Sequence, residues 1–368
     1  MIRVLHVVRS MNIGGLENIV KSILLSADRE SVICDCLICD EKESDYEEEL
    51  RTAGINVFKL SAPNKTKIKF YIDLYKFFRN QRQNYDIVHI HMAFTNGLIA
   101  LAAKRSGVKY IISHSHGVML PTKNAFIRKP YEVVMRKFMS KYSDGLLACS
   151  KSAGDYLFGC EAFREKGKVF LNGIDFLKFA FDENKRDVVR KKLGVEDKLV
   201  IGTIGALVPA KNHMQLLRIL NEFKQEDNVV GVIIGSGPLK KTLVSYANDH
   251  DLRDRLLLLG KRLDVSAYLQ AMDVFIFPSI SEGFGIALLE AQANGLPCVV
   301  SSNIQDEAKI AKNIYTVEND APLNEWKRAI QKAYNDGRNY YAHDLRESGL
   351  DLYSNCKKLF SWYKEFLQ

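Results

Sequence analysis

The chain has 368 residues, 47% hydrophobic and 26% charged, with a formal net charge of +8, an ordinary globular composition whose length predicts two domains rather than one core. Seven cysteines, an odd number, argue against a disulfide framework and for a reducing compartment, and no apolar stretch approaches the roughly 18 residues that would span a bilayer. The positive balance suits an anionic partner, whether nucleotide, acidic lipid surface or nucleic acid, without choosing among them.

The opening run IRVLHVV is strand-like and too short for a signal-peptide core, so a cytoplasmic chain is expected. A glycine turn at Gly14 and Gly15 follows, then a helix over 16–27 and the apolar run VICDCLIC. Its Cys34, Cys36 and Cys39 read as a buried strand, with metal binding the lesser alternative. INVFKL, a helix over 67–83, DIVHIH, a helix over 97–105, KYIISHSH, a helix over 131–142, GLLACS and KVFLNGID complete the first half. Continuous β-rich runs separated by helices imply a parallel sheet covered on both faces.

Residues 182–197 are polar and charge-rich and read as a linker. The alternation then restarts with LVIGTIG, a helix over 212–223, NVVGVIIG, a helix over 239–250, LLLLG, a helix over 265–271, DVFIFP, a helix over 286–294 and PCVVSS. An amphipathic segment over 350–368 carries Tyr353, Leu359, Trp362, Tyr363 and Phe366 and is expected to pack back on the first half. The expectation is an α/β protein of two doubly wound domains, 1–180 and 181–349, with a final helix over 350–368. Ligands of such sheets bind beyond the carboxyl ends of the strands, so two facing halves would share a cleft.

The sharpest motif is SEGFGIALLEAQANGLP (281–297), where two glutamates eight positions apart flank a glycine-rich turn and a helix start. A helix N-terminus attracts anions, and glycine lets a phosphate approach the backbone. Glu282 and Glu290 would repel that phosphate, so sugar hydroxyls are their expected partners. Gly205 and the GSG at 235–237 also sit where strand gives way to helix, the edge at which phosphates are held. Lys211 follows the first strand of this half, beside the candidate N-cap Asn212, and can give a diphosphate a charge-assisted contact.

His89, His91, His114 and His116 come at the ends of two first-half strands. No carboxylate or second ligand lies at a recognised metal spacing, which favours hydrogen bonding to a sugar or acceptor over zinc. Two basic stretches, 64–82 and 123–141, interleave apolar residues with six Lys or Arg each, the pattern of an interfacial helix and equally of a core-facing helix with a solvated basic face.

Together with MNIGGLE (11–17), FLNGID (170–175), PAKNH, IIGSGP, GKRLDV and MDVFIFPS, these residues resemble the retaining glycosyltransferases of family 4, with capsular and exopolysaccharide enzymes the nearest in pattern. The resemblance runs nearly the whole chain and implies the two-Rossmann arrangement called GT-B. It implies that Glu290 binds the ribose of a nucleoside diphosphate sugar and Glu282 touches the donor sugar. The amides of Phe284, Gly285 and Ile286 would meet sugar and phosphate. Lys211 would neutralise the departing diphosphate, and Gly15 would let the first-half loop close on it. Arg262 and Leu263 would flank the base, and His116, with His114 the alternative, would be the first-half histidine. Ala206 stands where the family usually has an arginine, so one diphosphate cation is missing.

The implied activity is metal-independent, retaining transfer from a nucleotide-sugar donor, UDP-linked by expectation, to a hydroxyl of a glycan, lipid-linked in the resembling enzymes. Peripheral membrane contact is the expected partner beyond donor and acceptor; no cofactor, metal or nucleic acid is. The formal DxD pair Asp249 and Asp251 reads as surface. A GT-B epimerase or phosphorylase and a non-catalytic nucleotide-sugar module are the alternatives. A dehydrogenase is disfavoured, since neither glycine turn gives GxGxxG with an acidic residue some 20 positions on.

Overall fold

The computed structural model describes residues 1–63, 66–117, 125–339, 345 and 347–367. The chain folds into two units, Met1–Gly173 with Leu352–Gln368, and Ile174–Asp351. At the seam Ile174 bridges Asp351, and its N–H donates to the Leu350 carbonyl, so the second unit starts and ends side by side.

The first unit carries β1 (Ile2–Val8), β2 (Val32–Ile38), β3 (Val57–Lys59), β4 (Ile87–Ile90), β5 (Tyr110–Ser115), β6 (Gly145–Ala148) and β7 (Gly167–Val169). They form one parallel sheet in the order β3-β2-β1-β4-β5-β6-β7. Val4, Leu5, Val7 and Val8 are all buried, without alternation, because helices cover both faces. The helix Lys67–Gln81 seats Phe70, Leu74 and Phe78 against Leu5, Val7 and Val88. The helix Leu352–Glu365 belongs to this unit: Tyr363 is fully buried, and a side chain at Gly145 would strike Trp362 and Phe366.

The second unit carries β8 (Leu199–Ile204), β9 (Val229–Ile234), β10 (Leu256–Gly260), β11 (Val274–Phe277), β12 (Cys298–Ser301) and β13 (Ile314–Val317), all parallel, in the order β10-β9-β8-β11-β12-β13. Strand order reverses at β1/β4 in one sheet and at β8/β11 in the other. Beyond their carboxyl ends lie the two switch points, where such sheets bind ligands.

Residues 182–197, read as a linker, contain the helix Glu183–Leu193, begun by the Asp182 carboxylate accepting from the Lys185 N–H and ended by left-handed Gly194. Besides Val189, its inward face is built from arginines, which a hydrophobic pattern does not register. Arg186 and Arg190 both pair with Asp273, and Arg190, nearly buried, also donates to the carbonyls of Ala271, Glu196 and Lys198. Nor is Asn212 the N-cap of the next helix: left-handed (φ 48°), it closes the 3-10 turn Pro209–Lys211, and His213 stands at the N-cap of the helix Met214–Glu222. The helix expected over 131–142 begins at Ala125 and carries Pro130 inside it. β13 and the helix Leu323–Asp336, which buries Trp326, lie between PCVVSS and the final helix, where the pattern predicts no element. Of the two basic stretches, residues 64, 65, 123 and 124 lie outside the described residues.

Candidate active site

In the second unit, β8 ends in the loop that carries Lys211, and its neighbour β11 ends in the loop that carries Glu282. The Ile280 N–H donates to the Ala210 carbonyl at 2.8 Å and ties the loops together. Lys211 Nζ, 5.8 Å from the Phe277 ring centroid, donates to Glu282 Oε2. Glu282 is almost wholly buried, and its Oε1 has no hydrogen-bond partner among the described residues. A buried carboxylate oxygen without a donor costs on the order of 1–3 kcal/mol, so this one is poised to accept from a hydroxyl.

Behind Glu282, Phe284 is buried and Gly285 turns left-handed (φ 79°) to start the helix Ile286–Ala293. No side chain caps this helix, and Leu288 and Leu289 donate the first bonds back to Gly285. The amides of the first turn, Ile286 among them, are therefore presented without a capping acceptor beside the Lys211–Glu282 pair. Glu290 lies one turn further along. Burial raises its carboxyl to about 7, with Lys178 pulling the other way.

Arg262 lies on the loop after β10, its guanidinium 5.6 Å from the Tyr268 ring centroid and its Nε without a partner among the described residues. Leu263 beside it is 62% exposed. Gly235 and Gly237, by contrast, are explained by packing: a side chain at either would strike the backbone of Gly205 or Leu207 within 2.6 Å. Ala206 is exposed on the β8 loop. Asp249 accepts from Ser245, and Asp251 is exposed and paired with Lys224.

In the first unit Gly15 opens the helix Gly15–Leu25 at the end of β1, behind Gly14. The four histidines at the ends of β4 and β5 meet a fifth, His6 of β1, which spacing along the chain does not link to them. His116 Nε2 and His91 Nδ1 are 2.8 Å apart, His91 Nε2 and His6 Nδ1 3.0 Å, and His89 Nε2 and His114 Nδ1 3.2 Å. His89 Nδ1 lies 2.6 Å from the Tyr363 hydroxyl. Burial holds all five well below the ordinary imidazole range, His6 and His116 at about 3. They are neutral rings. His116 alone among them is half-buried, at the edge of the cluster. Cys34, Cys36 and Cys39 are buried thiols whose ionisation burial pushes up. Among the described residues no helix is long and apolar enough to cross a membrane.

Two family models match in tandem, "Glycosyltransferase Family 4" over residues 13–176 and "Glycosyl transferases group 1" over residues 185–350. The EpsF protein of Bacillus subtilis is 29% identical over 368 residues, covering 98% of this chain and 96% of that one. The UDP-Gal:alpha-D-GlcNAc-diphosphoundecaprenol alpha-1,3-galactosyltransferase of Escherichia coli is 35% identical over 254 residues, covering 67% of this chain and 64% of its own. Among solved structures, Alr3699/HepE of Anabaena in complex with UDP-glucose superposes with a TM-score of 0.77 at 18% identity, covering 98% of this chain and 95% of that one. The two parallel sheets and these likenesses give the fold as GT-B, and the chain belongs to the group 1 glycosyltransferases of family 4.

Proposed function

We propose that this glycosyltransferase moves a sugar from a UDP-linked donor to a hydroxyl of a lipid-linked glycan, with retention at the anomeric carbon, in cell-surface polysaccharide synthesis. The observation that carries the reading is the Lys211–Glu282 pair beside the uncapped start of the helix Ile286–Ala293. The relatives' names support the donor and acceptor classes: one uses UDP-Gal and a diphosphoundecaprenol-linked acceptor, and another is a capsular polysaccharide glycosyltransferase of Staphylococcus aureus.

Residues 181–349 hold the donor in this reading, and residues 1–180 with the helix over 350–368 serve the acceptor. The diphosphate lies against the amides of Phe284, Gly285 and Ile286. Glu290 accepts from the ribose hydroxyls, and Arg262 and Leu263 flank the base. Lys211 trades its bond to Glu282 for the diphosphate, leaving the Glu282 carboxylate to take the sugar hydroxyls. As the anomeric C–O bond breaks, negative charge grows on the diphosphate, and the ammonium and amides are already aimed at it. The acceptor hydroxyl attacks on the face the diphosphate leaves, and His116 and Gly15 keep the roles that the family resemblance gives them. Amides and lysine supply the charge stabilisation, so no divalent ion takes part in the transfer.

A turnover screen over nucleotide sugars and polyprenyl-diphosphate acceptors, with and without a chelator, tests the reading. Chelator-insensitive UDP release that depends on acceptor, lost in Lys211→Ala and Glu290→Ala, is the expected result. Donor affinity equal to wild type in both variants sinks the site assignment, and binding without turnover favours a non-catalytic module.

A further inference from the structure

The transfer proposed above uses one of the five clustered histidines. β1, β4 and β5 are adjacent, with His6 opposite His89 and His89 opposite Ile112, so imidazoles from three strands and the residues just beyond them converge. We propose that His91, His114 and His116 form a binding site for a divalent transition-metal ion of the zinc class, with water in the fourth position.

Each of the three offers a ring nitrogen within 4.8 Å of the other two. Tetrahedral zinc with Zn–N near 2.0–2.1 Å wants its ligand nitrogens about 3.4 Å apart, so nitrogens up to 4.8 Å apart have to close by no more than about 1.4 Å. Two nitrogens of this set, Nε2 of His114 and Nδ1 of His116, are buried with no partner among the described residues. Buried nitrogens are normally satisfied.

Outer partners are also in place for two of the three rings. Metal-bound imidazoles usually hand their second N–H to an acceptor that fixes the ring. One tautomer set does this for two of the three: His91 binds through Nδ1, giving up its bond to His116, and donates from Nε2 to His6, while His114 binds through Nε2 and donates from Nδ1 to His89. His89 in turn donates from Nδ1 to the Tyr363 hydroxyl. All-imidazole ligation suits zinc, cobalt, nickel or copper and not magnesium or calcium. The second geometric set, His6, His89 and His91, is wholly buried, whereas His116 gives the first a route from solvent.

The test is a Co2+ titration of the full chain, prepared without a histidine tag and followed by visible absorption. Saturation at one ion per chain is expected, with the intense d–d bands of a tetrahedral ion that Zn2+ then displaces. His116→Asn, at the half-exposed edge, keeps the fold by circular dichroism and weakens Co2+ binding at least about 10-fold; His91→Gln does the same. His250→Asn, in the second unit, leaves it unchanged. No saturable band, or wild-type affinity in His116→Asn, overturns the proposal and leaves a purely hydrogen-bonded histidine ladder. Should His91→Gln fail to fold, His116→Asn decides alone. The readout does not involve sugar transfer, so the two proposals fail separately.

Discussion

Lys211 Nζ and Glu282 Oε2 form an ion pair across the β8/β11 switch point, 71 positions apart in the chain, while Glu282 Oε1 is buried without a described partner. The lysine thus has two separable jobs, compensating a buried carboxylate and meeting a departing diphosphate. Lys211→Met is expected to lower stability by about 1–3 kcal/mol and the transfer rate by about 100-fold or more. Adding Glu282→Gln restores the stability in urea unfolding but not the rate. If the rate returns as well, the lysine acts only by neutralising its neighbour.

Glu290 ties the second unit to pH. Its carboxyl sits at about 7 in the fold against 4.5 in the unfolded chain, so between those values the folded protein holds a proton that the unfolded chain has lost. Stability therefore falls as pH rises through that window, by up to about 3 kcal/mol in total, and is level above it. Glu290→Gln flattens this component in urea titrations. Ribose hydroxyls donate to the ionised carboxylate, so UDP affinity should rise as pH increases through about 7. A calorimetric titration in which Glu290→Gln shows the same rise as wild type removes Glu290 from the ribose.

Gly235 and Gly260 separate packing from backbone freedom. A Cβ on Gly235 (φ 147°) would lie 1.9 Å from the Gly205 carbonyl oxygen, whereas one on Gly260 (φ 71°) meets nothing within 4 Å. Gly235→Ala should cost about 3 kcal/mol or more, and Gly260→Ala only the left-handed penalty of about 1–2 kcal/mol. Equal costs in thermal unfolding would contradict the close approach of the β8 and β9 loops.

Periodicity announced the two parallel sheets because helices bury both their faces, which turns each strand into an unbroken apolar run such as VLHVV or DVFIFP. The same hydrophobic reading passed over the helix Glu183–Leu193, whose inward face is held by Arg186 and Arg190 on Asp273. It made signals of Gly235 and Gly237 that the fold explains by packing. Lys211 and Glu282 were legible singly. Their pairing was not, because strand order, which brings β8 beside β11, is absent from local pattern. His6 shows the same limit: an isolated histidine in an apolar strand meets His89 and His91 only through the β1–β4 pairing.

Ala206 is exposed on the β8 loop, where the family pattern has an arginine. An added guanidinium there disturbs no core, and a second cation on the diphosphate is worth about 1.5–3 kcal/mol. Ala206→Arg should tighten UDP binding about 10-fold or more, with the gain shrinking at high salt. Unchanged affinity in a UDP titration places the diphosphate away from this loop.

The basic helices of the first unit bear on where the enzyme works. Lys67 of the helix Lys67–Gln81 lies 3.6 Å from the ring centroid of Tyr131 in the helix Ala125–Tyr142. Ile68 and Ile72 on the first helix and Val133 and Val134 on the second are exposed, Ile68 at 77%. Lys69, Lys76, Lys129 and Lys137 are exposed on the same two helices. A merely solvated basic face needs no exposed β-branched residues, whereas a face that enters an anionic headgroup layer uses both kinds. The chain is expected to sediment with vesicles containing phosphatidylglycerol and not with phosphatidylcholine alone. Replacing the four aliphatics by serine keeps every charge, yet removes apolar contacts worth about 1 kcal/mol each when partly buried, so binding should fall about 100-fold or more. Charge-only attraction would leave that variant binding like wild type, and the helices would then be a solvated surface.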